Sequence, residues 1–182
     1  MIDIRRISIT ELDTDAIVNA ANERLAAGGG VCGAIFRAAG HDELQRACDK
    51  YGHCDTGKAV ITPGFRLRAK YVIHAVGPIY RGGQYGEEEK LKSAYKSSLE
   101  LASANGCNSI GFPLISAGIY GYPVEAAWEA AISACDEYMR AHPEENTDII
   151  FAVLDDRILE VGRKILRKGS SYQILETTPQ LP

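Results

Sequence analysis

The chain has 182 residues, 46% of them hydrophobic and 24% charged, with a formal net charge of −4 and a pI near 5.6. That is enough apolar material for one domain with a proper core, and the acidic balance supplies no basic field for a phosphate backbone, so nucleic acid is not expected as a partner. No run approaches the roughly 20 apolar residues of a membrane span, the start MIDIRRISIT lacks the apolar core of a signal peptide, and five scattered cysteines form no framework; the expectation is a cytoplasmic protein with free thiols and no membrane contact.

Short β-branched runs alternate with longer amphipathic ones, the pattern of helices layered on a largely parallel sheet. In chain order, strands are expected at residues 2–9, 16–19, 58–62, 71–75, 109–114 and 148–154, most of them apolar on both faces and therefore internal. Helices are expected between them at 33–51, 87–105, 124–141 and 156–168. Leu91, Ala94, Tyr95, Leu99 and Ala102 recur at helical spacing, so the second helix turns one face to the core. The third follows Pro123, which presets φ for a first turn, while Gly106 and Gly169 are placed to stop the second and fourth. Residues 1–169 thus read as a single domain, and 170–182 as a polar, proline-bearing tail that frays at its end.

Two loops leave a buried strand and lead into a helix: NAANERLAAGGGVCG, from Asn19 to Gly33, and PLISAGIYGYP, from Pro113 to Pro123. In layered α/β folds such loops form the ligand crevice, glycines permit close backbone approach, and helix N-termini add partial positive charge. Neither glycine-bearing core contains Lys or Arg, so facing each other the two would cradle a diphosphate through backbone amides, each charge-assisted contact contributing roughly 1.5 to 3 kcal/mol. The glycine loop alone matches neither GxxxxGK[ST] nor GxGxxG, and a tight structural turn explains it equally well. In the stretch from Gly28 to Gly40, Cys32 and Phe36 are the residues best placed to meet a substrate. Cys48, His53 and Cys54 lie close together, with Cys32 able to approach, but their spacing matches no common zinc pattern; no metal and no cofactor are expected. His74, on a strand, reads as a core histidine.

The segment ITELDTDAIVNAANERL, then GGGV.GAI..AAG, then TGKAVITPGFRLRAKYVIHAVGP, then FPLISAGIYGYP, closely resembles the macrodomain family, and within it the MacroD-type branch, over nearly the whole chain. The resemblance implies a three-layer α/β/α sandwich around a mixed, mostly parallel six-stranded sheet. It implies ADP-ribose, free or carried by a modified protein, as the ligand, and in many members hydrolysis of ADP-ribosyl-protein or of O-acetyl-ADP-ribose. It places Asn22 beside the distal ribose as the candidate catalytic group, counts Ala20 among the ligand-binding residues, and puts Gly29, Gly30, Val31, Cys32 and Gly33 in the first phosphate loop. It places Ser116, Ala117, Gly118 and Ile119 in the second, with Tyr120 flanking the distal ribose.

The chain departs from the pattern at Cys32 and Phe36, at Ile7 and Ser8, and at Leu154. Where the hydrolytic loop reads Gly-Val-Asp-Gly-Ala-Ile-His, Cys32 stands for the Asp and Phe36 for the His; an unperturbed thiol is mostly protonated at neutral pH and a poor general base. The family's Gly-Asp-Ile before the first-motif Thr, whose Asp receives the adenine amino group, is Ile7, Ser8, Ile9 here, and Leu154 stands where an aromatic often stacks on the base. The resemblance therefore leaves two functions open, a binder of ADP-ribose and a hydrolase in which Asn22 positions water and the substrate's phosphate takes the proton. Binding of RNA or another nucleotide polymer is opposed by the acidic pI.

Overall fold

A computed structural model describes residues 1–176, with side chains through Gly169; the last six residues of the expected tail, 177–182, lie outside the described part. Six strands form one sheet in the order β1-β6-β5-β2-β4-β3: β1 Ile2–Arg5, β2 Ala16–Ala21, β3 Ala59–Pro63, β4 Tyr71–Val76, β5 Ser109–Phe112 and β6 Asp148–Ala152. All neighbours are parallel except β3, which runs antiparallel to β4 at one edge. The central strands AIVNAA and YVIHAV are covered on both faces, which is why they are apolar almost throughout rather than alternating.

Helices α1 Gly30–Ala39 and α2 His41–Asp49 cover one face, and α3 Glu87–Ala104, α4 Val124–Ala141 and α5 Asp156–Glu176 cover the other. The core on the second face is the larger and centres on Tyr95, Phe112, Trp128 and Phe151, with Phe112 and Phe151 stacked at 5.6 Å and Trp128 edge-on to Phe151 at 5.2 Å. Ile35, Phe36 and Leu44 fill the first. This is the mixed six-stranded α/β sandwich expected.

Three elements differ from their expected bounds by more than two residues. The first strand stops at Arg5, where its partner β6 ends opposite Ala152, and Ile9–Glu11 instead make a 3-10 turn whose Ile9 is buried against the α1 layer. The single helix expected at 33–51 is two, because Gly40 takes φ 109°, closed to L side chains, ending α1 by its N–H to the Phe36 carbonyl and starting α2 by its carbonyl to Leu44. Gly169 does not stop α5, which continues to Glu176 into the segment expected as tail; one interior glycine costs a helix only about 1 kcal/mol.

Candidate functional site

Five parallel strands put their C-terminal ends on one edge of the sheet, and the connections leaving them form a row: Ser8 beyond β1, Leu154 beyond β6, the second glycine loop beyond β5, the first beyond β2 and Gly77 beyond β4. Between the middle two lies a cleft of about 290 Å³. From the first loop it is lined by Ala20, Asn22, Gly29, Gly30, Val31 and Cys32, and from the second by Ser116, Gly118, Ile119 and Tyr120.

Helix α1 begins at the cleft. Gly29 is its N-cap and offers no side chain, and no acidic residue occupies the first turn, so the free N–H groups of that turn keep their capacity for an external acceptor. The first loop is held from outside the cleft: Gln45 on α2 receives the Ala27 N–H at 2.8 Å and donates to the Leu25 carbonyl at 3.0 Å. Asn22 closes the loop on Ala26, donating to its carbonyl at 2.9 Å and receiving its N–H at 3.1 Å. One amide hydrogen and one lone pair of Asn22 remain for a ligand.

The second loop rests on Tyr95, whose buried hydroxyl receives the Ile115 N–H at 2.9 Å and donates to the Pro113 carbonyl at 3.3 Å. Ser116 sits in the left-handed region at φ 67°, unusual for a residue with a side chain, and its buried Oγ has no partner among the described residues. Its carbonyl receives the Tyr122 N–H, while the amides of Gly118, Ile119 and Tyr120 take no backbone partner among the described residues. Gly77 passes directly beneath; a Cβ there would stand only 2.3 Å from Ser116 Oγ and 2.5 Å from Ile115 Cγ2. A Cβ on Gly28, Gly29 or Gly118 would meet no atom within 4 Å.

Several expected positions lie elsewhere. Gly33 is buried behind the lip, where a Cβ would meet the Gly28 carbonyl oxygen at 2.5 Å, and Ala117 packs on the larger core. Ser8 and Leu154 stand farther along the row: the Ser8 hydroxyl pairs with Thr10 at 2.9 Å, Leu154 is exposed, and the Ile9 side chain is committed to the core. Phe36 does not face the cleft. It is buried against His41 and His74, so a histidine there would not reach a ligand. His74 is the core residue expected, with Asn19 at 3.1 Å from Nδ1 and Thr62 at 3.0 Å from Nε2; burial holds it down at about 4, hence neutral. Beside it, burial together with Cys32 and Asp49 pushes the Cys48 thiol up to about 12, and all five cysteines are free. Gly77, Gln45 and Tyr95 escaped the reading of the sequence, although the AVGP that ends a buried strand next to β2 marks the place for the first.

A second cavity of about 380 Å³ adjoins the cleft and shares Asn22, Gly77 and Tyr120 with it. Glu23, Arg24, His53, Thr56, Val76 and Ile79 complete its wall. The cysteines near His53 are not part of it: Cys48 turns to His74, whereas His53 Nε2 lies 2.7 Å from Asp55 and 4.0 Å from Glu23. Burial, with Glu23 and Cys32 adding, raises the Tyr120 hydroxyl above the ordinary phenol range, so it enters the cleft protonated.

A Macro domain family model matches residues 18–131. A macro domain-containing protein of Chlorobaculum tepidum, CT2219, is 51% identical over 164 residues, covering 90% of this chain and 94% of its own. An O-acetyl-ADP-ribose deacetylase of Citrobacter rodentium is 50% identical over 164 residues, covering 87% and 90%. Among solved structures, an Oceanobacillus iheyensis macrodomain with ADP superposes at a TM-score of 0.88 with 34% identity, covering 93% of this chain and 91% of that one. A Trypanosoma brucei macrodomain in complex with ADP-ribose gives 0.83 with 38% identity, covering 91% and 68%.

Proposed function

This chain belongs to the Macro domain family, and from that premise we propose that it binds ADP-ribose, free or attached to protein, across the row of strand ends. The observation that carries this is the cleft between two lips of open backbone amides, at a helix N-terminus and free of Lys and Arg, which suits a diphosphate. Asn22 and Tyr120 then flank the distal ribose, and the base lies toward Ser8 and Leu154. Solved relatives hold ADP and ADP-ribose, which fits this assignment. Ser8 offers a hydroxyl where the family pattern has a carboxylate, so discrimination between bases is weak, and five free thiols fit a cytoplasmic setting. Among the described residues, no helix is long and apolar enough to cross a membrane.

A second reading, hydrolysis of an acyl or protein substituent from the bound ADP-ribose, is favoured by the relatives named O-acetyl-ADP-ribose deacetylase at 45–50% identity. The cleft lacks a carboxylate or imidazole among its lining residues, so Asn22 would position water and the reaction would draw its base from elsewhere. Calorimetric titration with ADP-ribose tests the binding, with saturable one-to-one heat expected. Incubation with O-acetyl-ADP-ribose, following released acetate, tests the hydrolysis; no heat in the first experiment refutes the binding itself.

A further inference from the structure

We infer that the second cavity houses a proton-transfer site in which His53, held by Asp55, is the base for removing an acyl group from the far end of the bound ligand; this rests on the hydrolytic reading above. The sheet order supplies the placement. Strand β3 is antiparallel to β4, so the connection entering β3, which carries His53, Asp55 and Thr56, meets the same edge as the connections leaving the parallel strands. It stands at the opposite end of the row from Ser8 and Leu154. The cavity it borders opens from the cleft at Asn22 and Tyr120, where the distal ribose lies, so a substituent on that ribose projects into it.

The chemistry is complementary. Cys32 and Tyr120 are the titratable groups that line the cleft, and neither a thiol nor a phenol held protonated is a ready base, whereas the adjoining cavity has an imidazole on its wall. Asp55 fixes His53 through Nε2 at 2.7 Å, which leaves Nδ1 as the nitrogen free for water. The connection is tied down from the first loop: the Cys54 N–H donates to the Glu23 carbonyl at 2.9 Å and the Thr56 N–H to Glu23 Oε2 at 3.3 Å. In the step itself, Nδ1 takes a proton from water as the water oxygen bonds to the acyl carbon. The tetrahedral intermediate then breaks its bond to the ribose oxygen, which recovers the proton from Nδ1. The products are a carboxylic acid and a free ribose hydroxyl, with no change of oxidation state, and Asp55 balances the transient imidazolium.

The test uses the full chain and O-acetyl-ADP-ribose, with a chelator present, because Glu23, His53 and Asp55 also bring one ligand atom each within 4.8 Å of one another and could hold a metal. Both variants, His53→Ala and Asp55→Asn, change exposed side chains, so folding is not at stake. His53→Ala is expected to lose about 10²-fold or more in kcat, with the Kd for ADP-ribose within about twofold, and to regain turnover when free imidazole is added. Asp55→Asn is expected to fall between His53→Ala and the natural chain. Undiminished turnover in His53→Ala, a loss that imidazole does not restore, or activity that the chelator abolishes overturns the proposal. So does a natural chain that binds ADP-ribose without hydrolysing the ester, an outcome that leaves the binding intact; absence of ADP-ribose binding overturns both.

Discussion

The lips of the cleft and the layer beneath them use similar residues to opposite ends. At the lips, Gly28, Gly29 and Gly118 face open space, and nothing in the protein needs them to be small. Beneath, Gly77 and Gly33 are small because the protein's own atoms occupy the room a Cβ would take. The polar groups divide the same way, since the lip amides are left open whereas the buried imidazole of His74 is bonded on both nitrogens. Folding and binding therefore draw on separate residues, in the first loop as few as four positions apart at Gly29 and Gly33, and substitutions should separate them.

The largest expected effect lies beneath. Gly77→Val forces Ser116 and Ile115 aside and should cost about 3 kcal/mol or more, read as a lowered urea midpoint and, in consequence, lost binding. An unchanged midpoint would break the comparison at its base. The acid response of His74 comes next. Its folded value of about 4 lies below the unfolded value near 6.5, so the unfolded chain binds the extra proton between those two and stability falls as pH falls through that window. The full loss is roughly 3 kcal/mol, and the slope of stability against pH from 6.5 to 4 should flatten by that amount in His74→Gln relative to the natural chain.

At the lips the same kind of change should move affinity alone. Gly118→Val puts a branched side chain where the phosphate lies and should weaken ADP-ribose binding at least tenfold, about 1.4 kcal/mol, while the urea midpoint stays within about 0.5 kcal/mol of the natural chain. The smallest effect is expected for Cys32→Ala. Among the described residues the thiol's hydrogen-bond partner is the Ala26 carbonyl, at 4.0 Å, so the Kd by calorimetry should stay within about twofold; a larger loss would move Cys32 from wall to ligand contact.

The division also sets what can be read from a sequence. Strands such as AIVNAA and YVIHAV, apolar on both faces, and two glycine-bearing loops after buried strands are local patterns, and both loops do meet in one cleft. What escapes is set by distant atoms. Nothing near Gly77 in the chain announces Ser116, Gln45 supports a loop about 20 residues before it, and Tyr95 props up the second loop from the middle of a helix whose apolar spacing speaks only of packing. The break at Gly40 failed for a different reason: the apolar pattern runs through it, and only the positive φ shows that one helix is two. Phe36 misleads in the same way, since a position in a motif does not say which side of a helix the residue takes.

The order of the strands on the page of the sheet, β1-β6-β5-β2-β4-β3, differs from their order in the chain. With about 4.8 Å between neighbouring strands, six of them span roughly 24 Å, a ruler on which each tick is the tip of a different crossover. Ser8, Leu154, Ser116, Asn22, Gly77 and His53 read along it in space, yet in the chain they are scattered out of that order between residues 8 and 154. An insertion or exchange in one crossover would then revise a single portion of an elongated ligand's contacts and leave its neighbours untouched, so the base end and the far end of this surface are free to diverge independently while the sheet stays the same.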